Sequence, residues 1–177
     1  MAVLQTIRNF FVPAEAEEPE IIVSAPPTVY DIRPLTDRHQ TEVTALNLRC
    51  FKNGENYTKH TFAYLLGDAN TLSYRVITPK GEMIGFVFVM LNEDGAGHLT
   101  TIGVAPEHRR RGVAEKLLTH VENAMRQRSV GTVILEVRVS NAAAQNLYRN
   151  FGYSTVQRIN RYYNNGEDCF LMVKSLF

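Results

Sequence analysis

The chain has 177 residues, of which 45% are hydrophobic and 21% charged, and its formal net charge is +1. This length favours one domain, and the composition is that of a globular protein whose core needs no disulfides. A balance of 19 basic and 18 acidic residues argues against a general nucleic-acid-binding protein, which has a broad basic excess. No apolar run approaches the ~20 residues of a membrane span, and the first residues lack the features of a secretory signal. We therefore expect a cytoplasmic protein with neither a nucleic-acid nor a membrane partner.

The N-terminal region differs in composition from the rest of the chain. Residues 13–28 contain four of the seven prolines together with four glutamates, which is typical of a linker or a loosely held arm. We therefore divide the chain into an N-terminal arm, residues 1–28, and a compact domain, residues 29–177. The role of the first 12 residues stays open, because they could pack on the domain or on a partner.

From residue 29 onward, strand and helix patterns follow one another. Runs of alternating or continuous apolar residues predict seven strands, at 29–35, 71–79, 83–92, 98–106, 132–140, 153–160 and 168–177. Apolar residues at helical spacing predict four helices, at 37–50, 58–66, about 109–125 and 141–151. The order β-α-α-β-β-β-α-β-α-β-β predicts an α/β fold with a mixed, largely antiparallel seven-stranded sheet and about four flanking helices.

Residues 109–112 place three arginines and a glycine where the third helix is predicted to begin. A helix N-terminus disfavours cations, and a glycine inside a helix costs ~1 kcal/mol relative to alanine. A bound phosphate group would remove this conflict, because free backbone N–H groups and arginine side chains both bind anions. The alternative is a solvated basic turn that pairs with Glu15, Glu17 or Glu18 of the arm. The segment matches neither a Walker loop nor a dinucleotide fingerprint.

The cysteines and histidines show no spacing typical of a metal site, so we expect no metal. Cys50 and Cys169 each lie in an apolar run. Buried, reduced thiols are the usual form of such cysteines, and a catalytic thiol is the alternative.

The segment RRRGVA (109–114) resembles the Arg/Gln-x-x-Gly-x-Gly/Ala motif of the GCN5-related N-acetyltransferases, the GNAT family. Together with TTIGVAP, LEVRVSNAAAQNLYRNFGY and RYYNNGEDCFLM, it resembles the subgroup that acetylates protein N-termini. That subgroup includes the bacterial ribosomal-protein-alanine acetyltransferase and the archaeal and eukaryotic catalytic subunits. The resemblance covers residues 29–176 and implies the GNAT fold. Upstream, NLRCFKNGENYTKHTF resembles the substrate-side loop of the archaeal and eukaryotic subunits.

The resemblance implies that acetyl-CoA is the cosubstrate and that three parts of the chain bind it. These are the turn that holds the pyrophosphate, the strand beside the pantetheine arm, and two residues near the next helix. In that order, the implied residues are Arg109, Arg110, Arg111, Gly112, Val113, Ala114 and Glu115, then Ile102, Gly103 and Val104, then Asn141 and Tyr148.

The resemblance also implies the catalytic groups. Glu136 matches the general base of the bacterial enzyme, and Tyr148 matches a tyrosine near the thioester sulfur. His98 and Glu55 match alternative bases of the eukaryotic relatives. The chemistry is consistent, because an α-amine of pKa ~8 must lose one proton and the leaving thiolate must gain one. Without the resemblance, Glu136 reads as part of a solvated strand face, Tyr148 as a core residue and His98 as a surface residue at a strand end.

The acceptor side is carried by two loops, which the resemblance implies close over a peptide. Their residues are Glu55, Tyr57, Tyr162 and Tyr163. Tyrosines supply apolar walls with a hydroxyl that reaches peptide backbone, whereas cross-strand packing of the tyrosine pair is the alternative.

The leading hypothesis is therefore transfer of acetyl from acetyl-CoA to the α-amino group of a protein or peptide, with a ribosomal protein among the candidate acceptors. The alternatives are acetylation of a lysine side chain or a small amine, and a non-catalytic acyl-CoA-binding or interaction domain. The sequence indicates neither the preferred first residue of the acceptor, nor an oligomeric state, nor whether an auxiliary subunit is needed.

Overall fold

The structure is a computed structural model that describes residues 11–12, 22–51 and 56–177. In chain order its strands are β1 (Phe11–Val12), β2 (Asp31–Pro34), β3 (Asn56–Tyr57), β4 (Thr71–Ile77), β5 (Met83–Leu91), β6 (Ala96–Val104), β7 (Thr132–Arg138), β8 (Ser154–Ile159) and β9 (Cys169–Ser175). Its α-helices are α1 (Gln40–Cys50), α2 (Lys59–Gly67), α3 (Val113–Arg126) and α4 (Ala142–Asn150). No helix in the described residues is both long and apolar enough to cross a membrane.

Seven strands form one sheet in the order β2-β4-β5-β6-β7-β9-β8. Neighbouring strands are antiparallel, except that β6 and β7 run parallel. Helix α3 makes the crossover that this parallel pair requires. The predicted fold class, a mixed and largely antiparallel seven-stranded sheet with four helices, is confirmed, and so is the predicted order of these elements.

The N-terminal arm contributes a strand pair that the sequence did not predict. β1 runs antiparallel to β3, with Phe11 opposite Tyr57 and Val12 opposite Asn56. Two-residue strands are too short to leave a periodic signal in the sequence. The backbone of residues 11–12 therefore lies beside a segment predicted to contact the acceptor.

The core is built on both faces of β5, as the nearly continuous apolar sequence of that strand predicts. On one face, Phe86 and Phe88 contact Phe62 of α2, with ring centroids 6.1 and 5.4 Å apart. On the other face, Gly85 lies against Val113 of α3. Because successive residues of a strand point to opposite faces, α2 and α3 cover opposite sides of the sheet.

The sheet divides at its centre. β6 and β7 pair only over residues 96–98 and 132–134. Thr100 then forms a bulge in β6, since Thr101 pairs with Phe88 whereas Leu99 pairs with Val89. Beyond the bulge, β6 stays beside β5 and β7 stays beside β9, so the two parallel strands diverge. The fold thus leaves a cleft between them.

Candidate active site

The divergence of β6 and β7 opens a cleft of about 450 Å³. Most of the predicted site residues line this cleft, namely Ile102, Gly103, Val104, Arg109, Arg110, Gly112, Ala114, Glu115, Glu136, Asn141, Tyr148, Tyr57 and Tyr163. Four others do not line it, namely Arg111, Val113, His98 and Tyr162. Glu55 lies outside the described residues.

One end of the cleft is the turn before α3. Gly112 is the N-cap of this helix and has a φ of 72°, in the left-handed region that favours glycine. The N–H groups of Val113, Ala114 and Glu115 lack intrahelical acceptors, as in the first turn of any helix, and no described side chain caps this one. Among the described residues, a Cβ at Gly112 would approach only Glu115 Oε2, at 3.8 Å, so the described chain leaves space at the turn. Such an open N-terminus of a long helix favours an anion.

The three arginines precede α3 rather than opening it, and their side chains differ in what they contact. Arg109 donates to the backbone oxygens of Val104, at 3.2 Å, and Cys50, at 2.9 Å. Arg111 donates to the backbone oxygens of Ala25 and of Pro26, the latter at 2.8 Å.

Arg110 is exposed and makes no side-chain hydrogen bond or ion pair with the part of the chain that the structure describes. It is therefore the guanidinium of the three that is best placed to reach a ligand. The alternative pairing of the arginines with Glu15, Glu17 and Glu18 falls outside the described residues.

One wall of the cleft is the second half of β6, whose backbone faces the gap left by β7. The N–H of Ala105 donates to the oxygen of Ile84 at 2.8 Å, on the side of β5. Because successive N–H groups of a strand alternate sides, the N–H of Val104 points toward the cleft. Gly103 keeps this wall tight, since a Cβ there would lie 2.6 Å from the Phe86 ring. The wall thus offers backbone groups to an extended ligand.

His98 and Glu136 form a buried pair at the point where β6 and β7 separate. His98 Nε2 lies 2.7 Å from Glu136 Oε2, and the two side chains are only 3% and 7% exposed. His98 Nδ1 and Glu136 Oε1 are also buried and have no hydrogen-bond partner among the described residues. The expectations of a surface histidine and of a solvated strand face are therefore wrong. The register of the two strands brings these side chains together, which local sequence does not reveal.

Tyr148 and Asn141 belong to the helix that faces β6 across the cleft. Tyr148 is buried, packs against Tyr153 with ring centroids 5.7 Å apart, and lines the cleft. Burial raises the pKa of the Tyr148 phenol, so the hydroxyl keeps its proton at neutral pH. Asn141 caps α4, where its Oδ1 accepts a hydrogen bond from the N–H of Ala144 at 3.1 Å. Tyr148 thus combines the core position and the cleft position that the sequence had offered as alternatives.

Tyrosines from two separate segments also line the cleft, namely Tyr57 and Tyr163. Tyr57 of β3 donates its hydroxyl proton to the backbone oxygen of Thr100 at 3.0 Å. Tyr163 lies in the connection between β8 and β9, where Tyr162 packs edge-on against it with ring centroids 5.0 Å apart. The tyrosines therefore pack against each other and against the cleft, not across a strand pair.

Sequence reasoning missed Arg138 and the environment of Cys50. Arg138 lines the cleft two residues after Glu136 in β7, and that spacing on a strand is the signal that could have found it. Cys50 lines the cleft as a free thiol, and burial raises its pKa to about 11. The thiol is thus protonated at neutral pH, which does not favour a nucleophilic role. No cluster of three or more His, Cys, Asp or Glu that could hold a metal occurs among the described residues.

Comparison with known proteins shows which family has this sequence pattern and this fold. A model of the acetyltransferase (GNAT) family matches residues 41–153. The chain belongs to this family. It is 35% identical over 136 residues to the N-alpha-acetyltransferase daf-31 of Caenorhabditis elegans, covering 73% of this chain and 74% of the relative. It is 35% identical over 150 residues to the N-terminal acetyltransferase A complex catalytic subunit NAA10 of Arabidopsis thaliana, covering 82% and 77%.

A solved structure with the same fold is the ribosomal-protein-S18-alanine N-acetyltransferase of Escherichia coli. The TM-score is 0.76 with 27% identity, over 84% of this chain and 94% of that one. The GNAT fold implied by the sequence is confirmed. The chain is an N-acetyltransferase of the class that takes its acetyl group from acetyl-CoA.

Proposed function

We propose that this protein transfers an acetyl group from acetyl-CoA to the α-amino group of a protein or peptide N-terminus. The observation that carries the proposal is the arrangement of one cleft. Its walls include the open N-terminus of α3, Glu136 of the buried His98–Glu136 pair, and the side chains of Tyr57 and Tyr163.

The cosubstrate end fits a phosphate-bearing ligand. The N–H groups of Val113, Ala114 and Glu115 would bind the pyrophosphate, with Arg110 as the free cation beside them. The cleft-facing backbone of Val104 would pair with the pantetheine arm and, through its N–H, stabilise negative charge on the thioester oxygen. In this assignment, Arg109 and Arg111 shape the turn and do not contact phosphate through their side chains.

The reaction needs a base for the incoming amine. An α-ammonium of pKa ~8 is mostly protonated at neutral pH and attacks only after losing a proton. Glu136 lines the cleft and has one buried carboxylate oxygen without a partner in the described chain, so it would accept that proton directly or through a water. His98 holds the other oxygen and would act on the amine only through Glu136. Glu55, the remaining candidate base, stays a prediction.

The reaction also needs an acid for the leaving group. The neutral amine attacks the thioester carbonyl carbon, the new C–N bond forms, and the C–S bond breaks. The thiolate must then take up a proton, and we assign its donation to Tyr148, which matches the tyrosine near the thioester sulfur and which burial keeps protonated. Burial also keeps the phenols of Tyr57 and Tyr163 protonated, so this assignment depends on the position of Tyr148 and not on its pKa. The products are the acetylated amine and CoA, with no covalent enzyme intermediate.

An α-amine is favoured over a lysine side chain because two segments narrow the acceptor end. Tyr57 and Tyr163 approach from β3 and from the β8–β9 connection, and a chain terminus passes between them more readily than the middle of a folded chain does. The similarity to two N-terminal or N-alpha-acetyltransferases and to the bacterial ribosomal-protein-alanine N-acetyltransferase supports this choice. The bacterial name also makes a ribosomal protein with N-terminal alanine a reasonable first acceptor to test.

A peptide panel tests the proposal. Peptides that begin with small residues, including alanine, are offered with a free or a chemically blocked α-amine, and each also contains an internal lysine. We expect CoA release with the free peptides only, and mass spectrometry should place the acetyl group on the first residue.

Two other outcomes would contradict the proposal in different ways. Turnover of the blocked peptides would mean that the lysine side chain is the acceptor. Binding of acetyl-CoA without turnover of any peptide, of free lysine or of a small polyamine would favour a non-catalytic binding domain. A catalytically dead Glu136→Gln, Tyr148→Phe double variant controls for spontaneous acetylation.

A further inference from the structure

We propose that Arg138 is a positioning residue that holds one wall of the acceptor site in place. This wall is residues 160–168, the connection between β8 and β9, here called the acceptor loop. The inference rests on the proposed function for the identity of the acceptor, but the contacts on which it depends are independent of that identity.

The guanidinium of Arg138 lies against the face of a tyrosine in the acceptor loop. Its Cζ atom is 3.7 Å from the centroid of the Tyr163 ring, well within the range of a cation–π contact. The Arg138 side chain is only 17% exposed, so water competes little for this contact. Arg138 is fixed in the sheet by the pairing of β7 with β9, and its contact holds the Tyr163 ring. Because that ring lines the cleft, Arg138 helps to set the shape of the cleft.

The same guanidinium also binds polar groups farther along the loop. Arg138 Nη1 donates to Glu167 Oε2 at 2.7 Å and to Asn165 Oδ1 at 3.3 Å. Glu167 Oε1 in turn accepts a hydrogen bond from the N–H of Ser140 at 2.9 Å, which ties it back to the end of β7. One arginine therefore connects three loop residues to the sheet.

The loop closes on itself around these contacts. The N–H of Tyr163 donates to the oxygen of Glu167 at 3.1 Å, and the N–H of Gly166 donates to the oxygen of Tyr163 at 2.8 Å. Gly166 has a φ of 81°, which this tight turn requires. A closed turn moves as a unit, so a change at Glu167 is transmitted to Tyr163.

Glu167 is ionised at neutral pH and so keeps its bond to Arg138. Burial by itself would raise its pKa, but hydrogen bonds from Ser140 and Arg138 outweigh burial and hold the pKa below its ordinary value. A charge-assisted, partly buried pair of this geometry is stronger than an exposed surface ion pair.

The opposite wall of the acceptor site has its own support. Tyr57 is held by the bond from its hydroxyl to the backbone oxygen of Thr100, on β6, at 3.0 Å. Loss of Arg138 should therefore loosen one wall and leave the other wall, the α3 turn and the His98–Glu136 pair in place. That separation predicts a change in acceptor binding with little change in cosubstrate binding.

The test uses Arg138→Gln, Arg138→Lys, Glu167→Gln and the Arg138→Gln, Glu167→Gln double variant in the full chain. We expect Arg138→Gln to raise the KM for the acceptor peptide about tenfold, while the dissociation constant for acetyl-CoA stays within twofold. Glu167→Gln should have a smaller effect in the same direction. The double variant should be no worse than Arg138→Gln alone, because the two residues act through one contact.

Arg138→Lys separates the proposal from a simple charge effect beside Glu136. Lysine keeps the positive charge but not the planar group that stacks on Tyr163 and binds Glu167 and Asn165 together. We expect it to behave like Arg138→Gln in KM. If lysine restores the wild-type KM, or if kcat falls tenfold while KM is unchanged, the positioning role is wrong.

Arg158→Gln is the matched control. It removes an arginine from a 2.7 Å ion pair with Asp168, the last residue of the acceptor loop, but that arginine is 58% exposed and does not line the cleft. We expect wild-type kinetics from this variant. An equal rise in KM would mean that any weakening of the hairpin has the same effect, which contradicts a specific role for Arg138.

A readout without turnover keeps this test distinct from that of the proposed function. Amide hydrogen exchange should become faster in residues 163–167 of Arg138→Gln, which contain its three contacts, and stay unchanged in that segment of Arg158→Gln and in the α3 turn. This result would support the positioning role even if the peptide panel fails. Unchanged exchange in the acceptor loop would overturn the role even if the panel succeeds.

Discussion

His98 and Glu136, which the sequence presents as alternative general bases, are in contact with each other. Both are buried, and their 2.7 Å contact means that removing either side chain leaves a buried polar group of the other unpaired. The residue that faces the cleft is Glu136. At the residue scale, we therefore assign proton acceptance to Glu136 and treat His98 as the group that orients it.

This assignment predicts a pH-dependent loss of activity in Glu136→Gln. The amide keeps the shape of the side chain and a hydrogen bond to His98 but does not accept a proton. We expect kcat at pH 7 to fall by a factor of about 100 or more, in line with the usual contribution of a general base. The deficit should shrink as the pH rises above ~8, because an α-amine of that pKa then loses its proton to solvent.

The measurement is kcat against pH for wild type and variant, with acetyl-CoA affinity as the control. Affinity should be unchanged, since Glu136 lies away from the α3 turn. A pH profile that runs parallel to that of the wild type would contradict a role in deprotonating the amine.

At the element scale, the turn before α3 shows how a local conflict in the sequence is relieved. The cations and the glycine are not inside the helix, because α3 begins at Val113 with Gly112 as its cap. Arg109 and Arg111 are bound by backbone oxygens of the protein, and Arg110 is left exposed. The fold thus neutralises the effect of Arg109 and Arg111 on the helix N-terminus through these hydrogen bonds. For Arg110, we expect a bound anion to do so.

The turn predicts unequal effects of single arginine substitutions. Arg110→Gln should raise the KM for acetyl-CoA about three- to tenfold, the effect of losing one exposed charge-assisted contact, with little change in Tm. Arg111→Gln should instead lower Tm, because it releases the segment that contains Ala25 and Pro26. Thermal melts and cosubstrate titrations of the two variants measure this difference. Equal rises in KM without a change in Tm would contradict it.

The elements themselves were predictable to within a few residues, and the reason is periodicity. The apolar residues of α3 recur at helical spacing and all face the sheet, and β5 is apolar throughout because both of its faces are covered. The strand predicted at 98–106 in fact begins at Ala96 and ends at Val104. The bulge at Thr100 was not predictable, because it depends on the register with β5.

At the scale of the whole molecule, part of the arm is packed on the domain. The N–H of Ala25 donates to the oxygen of Glu107 at 3.0 Å, and the oxygen of Pro26 accepts a hydrogen bond from Arg111 Nη1 at 2.8 Å. Residues before 29 therefore contact the domain, and the predicted boundary between arm and domain at residue 29 stays a prediction. Residues 22–28 add contacts to the turn that we assign to the cosubstrate.

Two truncations test that boundary. Removing residues 1–28 should lower Tm by about 6–12 °C relative to removing residues 1–21, because it deletes three hydrogen bonds, two to Arg111 and one from Ala25, each worth about 1 kcal/mol. Both variants should remain folded by circular dichroism. Identical melting temperatures would show that residues 22–28 contribute nothing to stability, and failure of the shorter variant to fold would place the boundary before residue 29.

The sequence by itself determined the fold class, the order of the elements and the family, because each depends on local periodicity or on a short motif. It also predicted the turn to which we assign the anion. Tertiary structure alone decided how the site residues combine. His98 and Glu136 are 38 residues apart, and Arg138 and Glu167 are 29 apart, so their contacts depend on the register between strands. Because register depends on how all the strands of the sheet pack together, it cannot be predicted from any single segment of the sequence.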